Sequence, residues 1–332
     1  MDVFEWIEQE LEPRTCTSEE FIYDDMESQS GRSLPIIYQP FDVGNRSHWQ
    51  DRGSLFDYLF STDGKKLLDF GPGDGWPSLI VAPYVDEVVG VEGSVRRVET
   101  CTDNARRLGI SNARFIYVEP RKPLPFEENS FDGAMAASSV EQTPDPKAAL
   151  QEIFRVLRPG GRFRISYEAL GQYKDGRERE AWLWPIKDKV SRLILFDRHP
   201  DQEIARQYGL TFALSQQEVV KVFSEEGRSI HFDMVTIPTL ERARSFIVDA
   251  RVSVLTHPSG KTMVSWLNDI GFREIIPTHS GAEFAGALFE QLGPKNRPRD
   301  MKGVDAMLRP LVRIVVETPA PAGIDPMITA IK

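Results

Sequence analysis

The chain has 332 residues, of which 41% are hydrophobic, and it carries a net charge of −10. This length can bury a sizeable core and favours one large domain with additions, or two domains. No run of about 18 uncharged apolar residues occurs, and the first segment is acidic, which argues against a membrane span and a signal peptide. Neither the two cysteines, Cys16 and Cys101, nor the five histidines show metal-ligand spacing. We therefore expect a globular cytoplasmic protein without a metal.

Most of the negative charge lies near the N-terminus, because residues 1–30 hold ten acidic residues and one basic residue. The remaining chain is nearly neutral and has only short basic clusters, so a nucleic-acid partner is not expected. Within residues 1–45, apolar positions recur at helical spacing, and Thr17 precedes Glu20 as in a capping box. These patterns predict a helical arm that either docks its apolar face on the body or forms a mobile lid over the active site.

The central stretch of the chain is residues 67–79, Leu-Leu-Asp-Phe-Gly-Pro-Gly-Asp-Gly-Trp-Pro-Ser-Leu, which follows a helix predicted at 48–60. An apolar run, three alternating glycines and a second apolar run predict a strand, a tight turn and a helix start. The turn departs from a dinucleotide fingerprint, since its third glycine comes one residue early and Pro72 lacks a backbone N–H. No Gly-Lys-Ser or Gly-Lys-Thr follows, so the turn is not a P-loop.

The next predicted strand, residues 87–91, ends at Glu92. An acid at this strand end, about 20 residues beyond a glycine turn, is placed to accept hydrogen bonds from both hydroxyls of a ribose. The turn and Glu92 together predict a ligand that carries a ribose but places no phosphate at the turn.

The order of these features resembles that of the class I S-adenosylmethionine-dependent methyltransferases, especially the small-molecule group that includes the ubiquinone and menaquinone biosynthesis enzymes. The resemblance covers residues 60–168. It rests on the glycine turn, on Glu92 and on four later segments: a strand at 113–119, a Pro-Phe to Phe-Asp loop at 125–132, a strand at 133–137 with its following helix, and a Pro-Gly-Gly turn at 159–161 before a strand at 162–167. It implies a Rossmann-like, doubly wound α/β fold with a mostly parallel seven-stranded sheet, an antiparallel final strand, and S-adenosylmethionine as cofactor.

The resemblance also implies a set of cofactor-binding residues: Asp69, Gly71, Gly73, Glu92, Gly93, Glu119 and Ser138. Asp69 is expected to brace the turn from behind. Glu119 is the nearest acid to the family's adenine contact, although counting back from Pro125 places Pro120 at that position. Ser138 has an alternative role as the cap of the following helix.

The sequence identifies no general base. Gln142 stands where the family often has a histidine, so base chemistry assigned to that histidine does not transfer to this chain. Five residues are candidates only because they fall near predicted strand ends: Glu141, Tyr167, Glu168, His231 and His279. None is paired with a nucleophile, and methyl transfer from an activated sulfonium needs mainly positioning.

Beyond residue 168 the resemblance fades, and residues 169–255 are predicted to form an α+β insertion. It enters at the carboxyl end of a strand, where open α/β sheets bind ligands, so we expect it to recognise the substrate. The alternative role is oligomerisation, which would give a homodimer, or packing. The predicted elements are a hairpin turning at Asp175-Gly176, strands at 190–196 and 207–214, a helix capped by Ser215 and Glu218, a strand at 230–235 and a helix at 239–248.

The C-terminal segment is predicted to complete the sheet. A helix ending at Gly271 leads to a strand that begins at Phe272, and residues 311–317 and 327–331 read as an antiparallel hairpin. One of these late strands is expected to be the antiparallel strand that closes the sheet. The predicted domains are an arm at 1–45, the cofactor-binding core at 46–168, the insertion at 169–255 and the C-terminal segment at 256–332.

The leading functional hypothesis is methyl transfer to a small organic acceptor, as O-, N- or C-methylation, with neither nucleic acid nor membrane as a partner. One alternative keeps the fold and changes the reaction, since a fold does not fix a function. A second is a catalytically silent domain that binds the cofactor or a protein partner. The glycine turn and Glu92 count against loss of the cofactor, whereas Pro120 and Gln142 leave this alternative open.

Overall fold

The computed structural model describes residues 1–17, 20–21, 40–166, 172–224, 227, 229–321 and 327–332. Its α-helices in these ranges are α1 (Val3–Glu10), α2 (Arg46–Thr62), α3 (Ser78–Val81), α4 (Val95–Leu108), α5 (Pro146–Val156), α6 (Gln216–Phe223), α7 (Ile237–Ala243), α8 (Gly260–Ile270), α9 (Gly281–Asn296) and α10 (Met301–Glu317). The strands are β1 (Arg14–Thr15), β2 (Lys66–Phe70), β3 (Glu87–Glu92), β4 (Ala113–Tyr117), β5 (Phe131–Ala137), β6 (Leu157–Ser166), β7 (Gln172–Lys174), β8 (Arg177–Lys187), β9 (Val190–His199), β10 (Ile204–Phe212), β11 (Ile247–Thr256), β12 (Arg273–Thr278) and β13 (Met327–Ile331).

The chain forms two compact units. The core unit consists of Arg32–Glu168 and Gly260–Lys332, and the insert unit consists of Met1–Gly31 and Ala169–Ser259. No helix in the described part of the chain combines the length and the apolar character needed to cross a bilayer.

The core unit is built on a seven-stranded sheet in the order β12-β13-β6-β5-β2-β3-β4. Strands β2 to β6 are parallel, and β13 runs antiparallel between β6 and β12. The predicted doubly wound sheet with an antiparallel final strand is therefore confirmed, and β13 is the strand that closes it against β6. The strand order reverses between β2 and β5, which places a ligand crevice at their carboxyl ends.

The insert unit is built on a six-stranded sheet in the order β1-β11-β10-β9-β8-β7, antiparallel except for the β1–β11 pair. The predicted hairpin at Asp175-Gly176 joins β7 to β8. Helix α1 buries Phe4, Trp6 and Ile7 in the core of this unit, so the N-terminal helix docks its apolar face here.

Three predictions of local structure were wrong. Residues 311–317 are the last two turns of α10, where Val312 and Val316 continue the four-residue spacing of buried apolar side chains. The β-branched run there suggested a strand, but burial on one helix face overrides that propensity. Residues 230–235 hold a 3₁₀ turn over Phe232–Met234 instead of a strand. The helix predicted at 239–248 ends at Ala243, and residues 247 onward form β11.

A buried ion pair holds α2 on the core sheet. Arg164 of β6 donates from Nε to Asp57 Oδ1 at 2.8 Å and from Nη2 to Asp57 Oδ2 at 3.0 Å, and the two side chains are 0% and 2% exposed. Arg164 also reaches Thr278 and Thr329, while Asp57 Oδ2 accepts the amide of Gly281 at the start of α9. One pair thus joins α2, α9 and three strands.

Replacing Asp57 with Ala should lower the free energy of unfolding by about 3–5 kcal/mol, because the Arg164 guanidinium would remain buried without its partner. Urea denaturation followed by circular dichroism measures the change. Arg313 and Glu317 provide the control pair, since both side chains are 68% exposed. Glu317→Ala should change stability by less than about 0.5 kcal/mol. Equal effects of the two variants would contradict the role given to the buried pair.

Candidate functional site

The turn after β2 is shaped by three glycines with positive φ. The φ angles of Gly71, Gly73 and Gly75 are +76°, +63° and +111°. The amide of Gly71 donates to the carbonyl of Val91 at 2.9 Å, which ties the turn to β3. A Cβ built on Gly71 would lie 2.4 Å from Ser139 Cβ, so this position excludes a side chain on steric as well as conformational grounds.

Glu92 lies at the carboxyl end of β3 with its carboxylate against the glycine turn. Its Oε2 accepts the amide of Gly73 at 3.0 Å, and its Oε1 accepts the amide of Gly93 at 2.9 Å. Burial raises the pKa of Glu92, while the nearby charge of Arg97 and these amide bonds oppose the rise. The backbone therefore holds a buried carboxylate next to the turn.

Asp69 supports the turn from behind. Its Oδ2 accepts both the amide of Ser78 at 3.1 Å and the Ser78 hydroxyl at 2.6 Å, which fixes the start of α3. Its Oδ1 is buried and has no hydrogen-bond partner within the described ranges. Burial raises the pKa of Asp69 to about 7, against the opposing effect of the bonds from Ser78.

Helix α4 holds the other side of the turn through two residues that sequence reasoning missed. Asn104 Nδ2 donates to the carbonyl of Asp74 at 2.8 Å, and Cys101 Sγ donates to the carbonyl of Gly73 at 3.3 Å. Burial raises the pKa of the Cys101 thiol, which keeps it protonated as a donor. The sequence could have indicated this role, because Cys101 and Asn104 are three positions apart on the helix that follows Glu92 and therefore lie on one face of it.

Ser138 directly follows β5 on the opposite side of the crevice and has a left-handed conformation, with φ +52°. Its amide donates to the carbonyl of Ser166 at 3.0 Å. It does not cap the following helix, because the cap of α5 is Asp145, which accepts the amide of Ala148. The next residue, Ser139, donates its hydroxyl to the carbonyl of Phe70 and so joins β5 to the turn.

Glu119 has an exposed side chain two residues beyond the end of β4. Strand β4 lies next to β3, with Tyr117 opposite Glu92, so Glu119 stands on the same edge of the sheet as the glycine turn. The structure thus brings Asp69, Gly71, Gly73, Glu92 and Gly93 together, with Ser138 and Glu119 on neighbouring strands.

The predicted base candidates do not gather at this turn. Glu141 is 1% exposed in the 3₁₀ turn Val140–Gln142 after β5. His279 is exposed beyond β12, three strand positions from β5, which is about 14 Å across the sheet. His231 is exposed and belongs to the insert unit. Tyr167 and Glu168 lie outside the described residues.

The turn fits the sugar and amino-acid parts of S-adenosylmethionine. A Cβ at Gly73 would meet only Arg97 Nη1 within 4 Å, at 3.7 Å, so the backbone beside Glu92 is open to close approach. The carboxylate provides acceptors for ribose hydroxyls, and Pro72 leaves the turn short of the amides that a pyrophosphate would need. The described residues contain no cluster of His, Cys, Asp or Glu that could hold a metal ion.

Gly71→Ala should destabilise the protein more than a left-handed backbone angle alone explains. Gly160 is the matched control, because its φ is +80° and a Cβ there would meet nothing within 4 Å. Gly160→Ala should cost about 1–2 kcal/mol from backbone strain. Gly71→Ala should cost ~1–3 kcal/mol more, because of the clash with Ser139. Thermal and urea unfolding of both variants measure the difference, and equal losses would show that the turn tolerates a side chain.

The pH dependence of stability should contain a contribution from Asp69. Its folded pKa of about 7 lies above the usual aspartate value of 3.8, so the unfolded chain loses this proton first as the pH rises. The folded state is therefore disfavoured increasingly between about pH 4 and pH 7, by up to about 4 kcal/mol. Asp69→Asn should remove this contribution. The free energy of unfolding should therefore fall less in the variant than in wild type as the pH rises from about 4 to 7.

Comparisons with known proteins match the same part of the core unit. Residues 68–165 match the family model described as a methyltransferase domain. The chain is similar to a sterol 24-C-methyltransferase of Aspergillus fumigatus, with 36% identity over 109 residues that cover 32% of this chain and 29% of that protein. It is similar to the 27-O-demethylrifamycin SV methyltransferase of Amycolatopsis mediterranei, with 32% identity over 119 residues, 36% of this chain and 44% of that protein.

Among solved structures, the CcbJ methyltransferase from Streptomyces caelestis overlaps with 69% of this chain and 86% of its own, at 15% identity and a TM-score of 0.45. The chain spans less than half the length of the two curated relatives named above. The sequence match, the order of the motifs and the strand order agree on one assignment. Residues 68–165 form a class I S-adenosylmethionine-dependent methyltransferase domain.

Proposed function

We propose that the chain catalyses methyl transfer from S-adenosylmethionine to a small organic acceptor. The observation that carries this proposal is the buried Glu92 carboxylate beside a glycine turn whose backbone is open at Gly73. When bound, the sulfonium compound supplies an activated methyl group, so the protein contributes mainly binding and positioning.

In this proposal Glu92 binds the ribose. The carboxylate accepts the backbone amides of Gly73, Gly93 and Ser94, and it can accept the sugar hydroxyls at its remaining lone pair and as hydrogen bonds shared with these amides. Gly71 and Gly73 leave room for the amino-acid end of the molecule. Asp69 acts through Ser78 by holding the turn, as its hydrogen bonds indicate. Glu119 and Ser138 complete the set on the neighbouring strands.

We further propose that the insert unit recognises the acceptor. Phe196, Gln207 and Ser253 are consecutive cross-strand neighbours on one face of its sheet. Gln207 Oε1 and Ser253 Oγ are buried and have no hydrogen-bond partner in the described part of the chain. Trp182 packs edge-on against Phe196 with ring centroids 4.7 Å apart. Buried, unsatisfied polar atoms beside aromatic rings support a binding face for a small ligand.

The setting of the reaction belongs to the same proposal. Cys16 and Cys101 are both buried free thiols, which supports the reducing cytoplasm as location. In this proposal the acceptor is a small molecule, and neither nucleic acid nor a membrane is expected to be the substrate. A homodimer is still only a prediction, which follows from the alternative role of the insert unit in oligomerisation.

Glu92→Ala should weaken binding of S-adenosylmethionine and of its demethylated product by about 10- to 100-fold, the effect expected from loss of two hydrogen bonds to a charged group. Isothermal titration calorimetry measures both affinities. Glu87→Ala is the matched control, because Glu87 begins the same strand at the opposite edge and pairs with Arg114 and Lys66. That variant should bind as wild type does. Unchanged affinity in Glu92→Ala would refute the assigned cofactor site.

Methyl transfer itself is tested by incubating the wild-type chain with labelled S-adenosylmethionine and a panel of small phenols, alcohols, amines and activated carbon acids. Labelled product that depends on the protein would support an enzyme. Tight binding of the methyl donor without transfer to any acceptor would support the catalytically silent alternative.

A further inference from the structure

Helix α2 carries two buried polar atoms for which the residues described in the structure offer no hydrogen-bond partner. They are His48 Nε2, in a side chain that is 6% exposed, and Asp51 Oδ2. The two residues are three positions apart on one helix, so they lie on the same face. Buried polar atoms of this kind are costly when unsatisfied, and two together on one face indicate a site for a polar ligand group.

The hydrogen bond at the other ring nitrogen fixes what His48 can do. Its Nδ1 accepts the amide of Asp42 at 2.8 Å. The neutral ring must therefore carry its proton on Nε2. The buried Nε2 of His48 is thus a hydrogen-bond donor, and the carboxylate of Asp51 is an acceptor. This face of α2 therefore presents one donor and one acceptor to a ligand.

The same face of α2 leads down to the glycine turn. Further along it, Tyr58 packs edge-on against Trp76 of the turn with ring centroids 5.9 Å apart, and its hydroxyl lies 3.4 Å from Ser166 Oγ at the carboxyl end of β6. Asp51 lies two helical turns before Tyr58, about 10 Å along the axis, and His48 one turn further. Both therefore lie beyond the carboxyl edge of the sheet, on the side of the cofactor turn.

We propose that His48 and Asp51 bind the acceptor's hydroxyl group, with Asp51 as its general base, so that the chain is an O-methyltransferase. The inference rests on the proposed methyl transfer and adds the nucleophile. A hydroxyl can form hydrogen bonds with both buried atoms at once, because its oxygen accepts from His48 Nε2–H while its hydrogen is donated to Asp51 Oδ2.

The count of lone pairs separates hydroxyls from amines. A hydroxyl oxygen has two lone pairs, so one can accept from His48 while the other attacks the methyl carbon. A neutral amine has a single lone pair and cannot do both. The oxygen–carbon bond forms as the carbon–sulfur bond breaks, the sulfur keeps the bonding electron pair, and the hydroxyl proton passes to Asp51.

The charges around Asp51 suit a base. Burial raises the pKa of Asp51 to about 7, and the adjacent Arg52 opposes the rise. The Arg52 guanidinium is turned away toward α10, where its Nε donates to Asp305 at 2.7 Å, and it also contacts Tyr84. In the part of the chain that the structure describes, this end of α2 also carries Arg46, which lies 3.4 Å from Glu290 of α9 at the exposed surface.

The acceptor panel with labelled methyl donor tests the proposal, with products identified by mass spectrometry. Label should appear on hydroxyl oxygens, and Asp51→Asn should lower kcat on such an acceptor by about 100-fold or more, as expected for loss of a general base. His48→Phe should lower it by roughly 10-fold. Asp63→Asn is the control, since Asp63 ends the same helix at an exposed left-handed position that Asn tolerates. Label on nitrogen or carbon, or an unchanged kcat in Asp51→Asn, would overturn the proposal.

A second readout needs no acceptor. With ¹³C-labelled aspartate and the demethylated product bound, the infrared difference between wild type and Asp51→Asn should show one carboxyl that titrates near neutral pH, because Asp69, whose pKa is also raised to about 7, is present in both proteins and cancels. Absence of that difference would overturn the role of Asp51. Calorimetry separates failure of the role given to Asp51 from failure of the proposed methyl transfer. Asp51→Asn should bind S-adenosylmethionine with an affinity within about twofold of wild type. If the wild-type chain does not bind S-adenosylmethionine, the proposed function itself is refuted.

Discussion

The position of helix α2 depends on the buried pair between Asp57 and Arg164. Two charges in a low-dielectric interior are stable only when each is paired and hydrogen-bonded, and here the hydrogen bonds come from several elements of the core unit. The pair thereby fixes both the rotation and the height of α2 on the sheet. Tyr58, one residue further along, meets Trp76 in the glycine turn because of that placement. The same placement of α2 puts Asp51 and His48, which lie two and three helical turns before Tyr58, beyond the sheet edge.

The carboxyl edge of the sheet concentrates strain and buried charge. Burial raises the pKa values of Asp69 and Glu92, and Ser138 holds a left-handed angle that a serine rarely adopts. Each of these features disfavours the folded state unless the surrounding structure compensates. The compensation is visible in the backbone amides that reach Glu92 and in the bonds from Ser78 to Asp69. Such a concentration at the switch point between β2 and β5 is what a binding crevice requires.

The sequence predicted best where the signal is local. The glycine turn, the strand that ends at Glu92 and the helix cap formed by Ser215 and Glu218 depend on residues close together in the chain, and they lie where they were expected. The errors arose where tertiary packing decides between two local preferences, as at residues 311–317, whose β-branched run becomes helical because one face is buried. The ion pair of Asp57 and Arg164 spans 107 positions, so no local pattern could reveal it. The sequence also could not reveal the buried, unpaired Oδ2 of Asp51, because its burial depends on which other residues of the described chain the fold brings near it.

The boundaries of the sequence match separate two parts of the proposed function, donor binding and acceptor binding. Residues 68–165 contain the glycine turn, Glu92 and Ser138, which are the groups suited to a methyl donor. Helix α2 and the six-stranded sheet of the insert unit lie outside that range. A donor common to many reactions can be bound by a shared segment, whereas the acceptor must be distinguished by residues that vary between proteins. Acceptor choice in this chain is therefore expected to depend on side chains such as His48 and Asp51, which the shared domain does not supply.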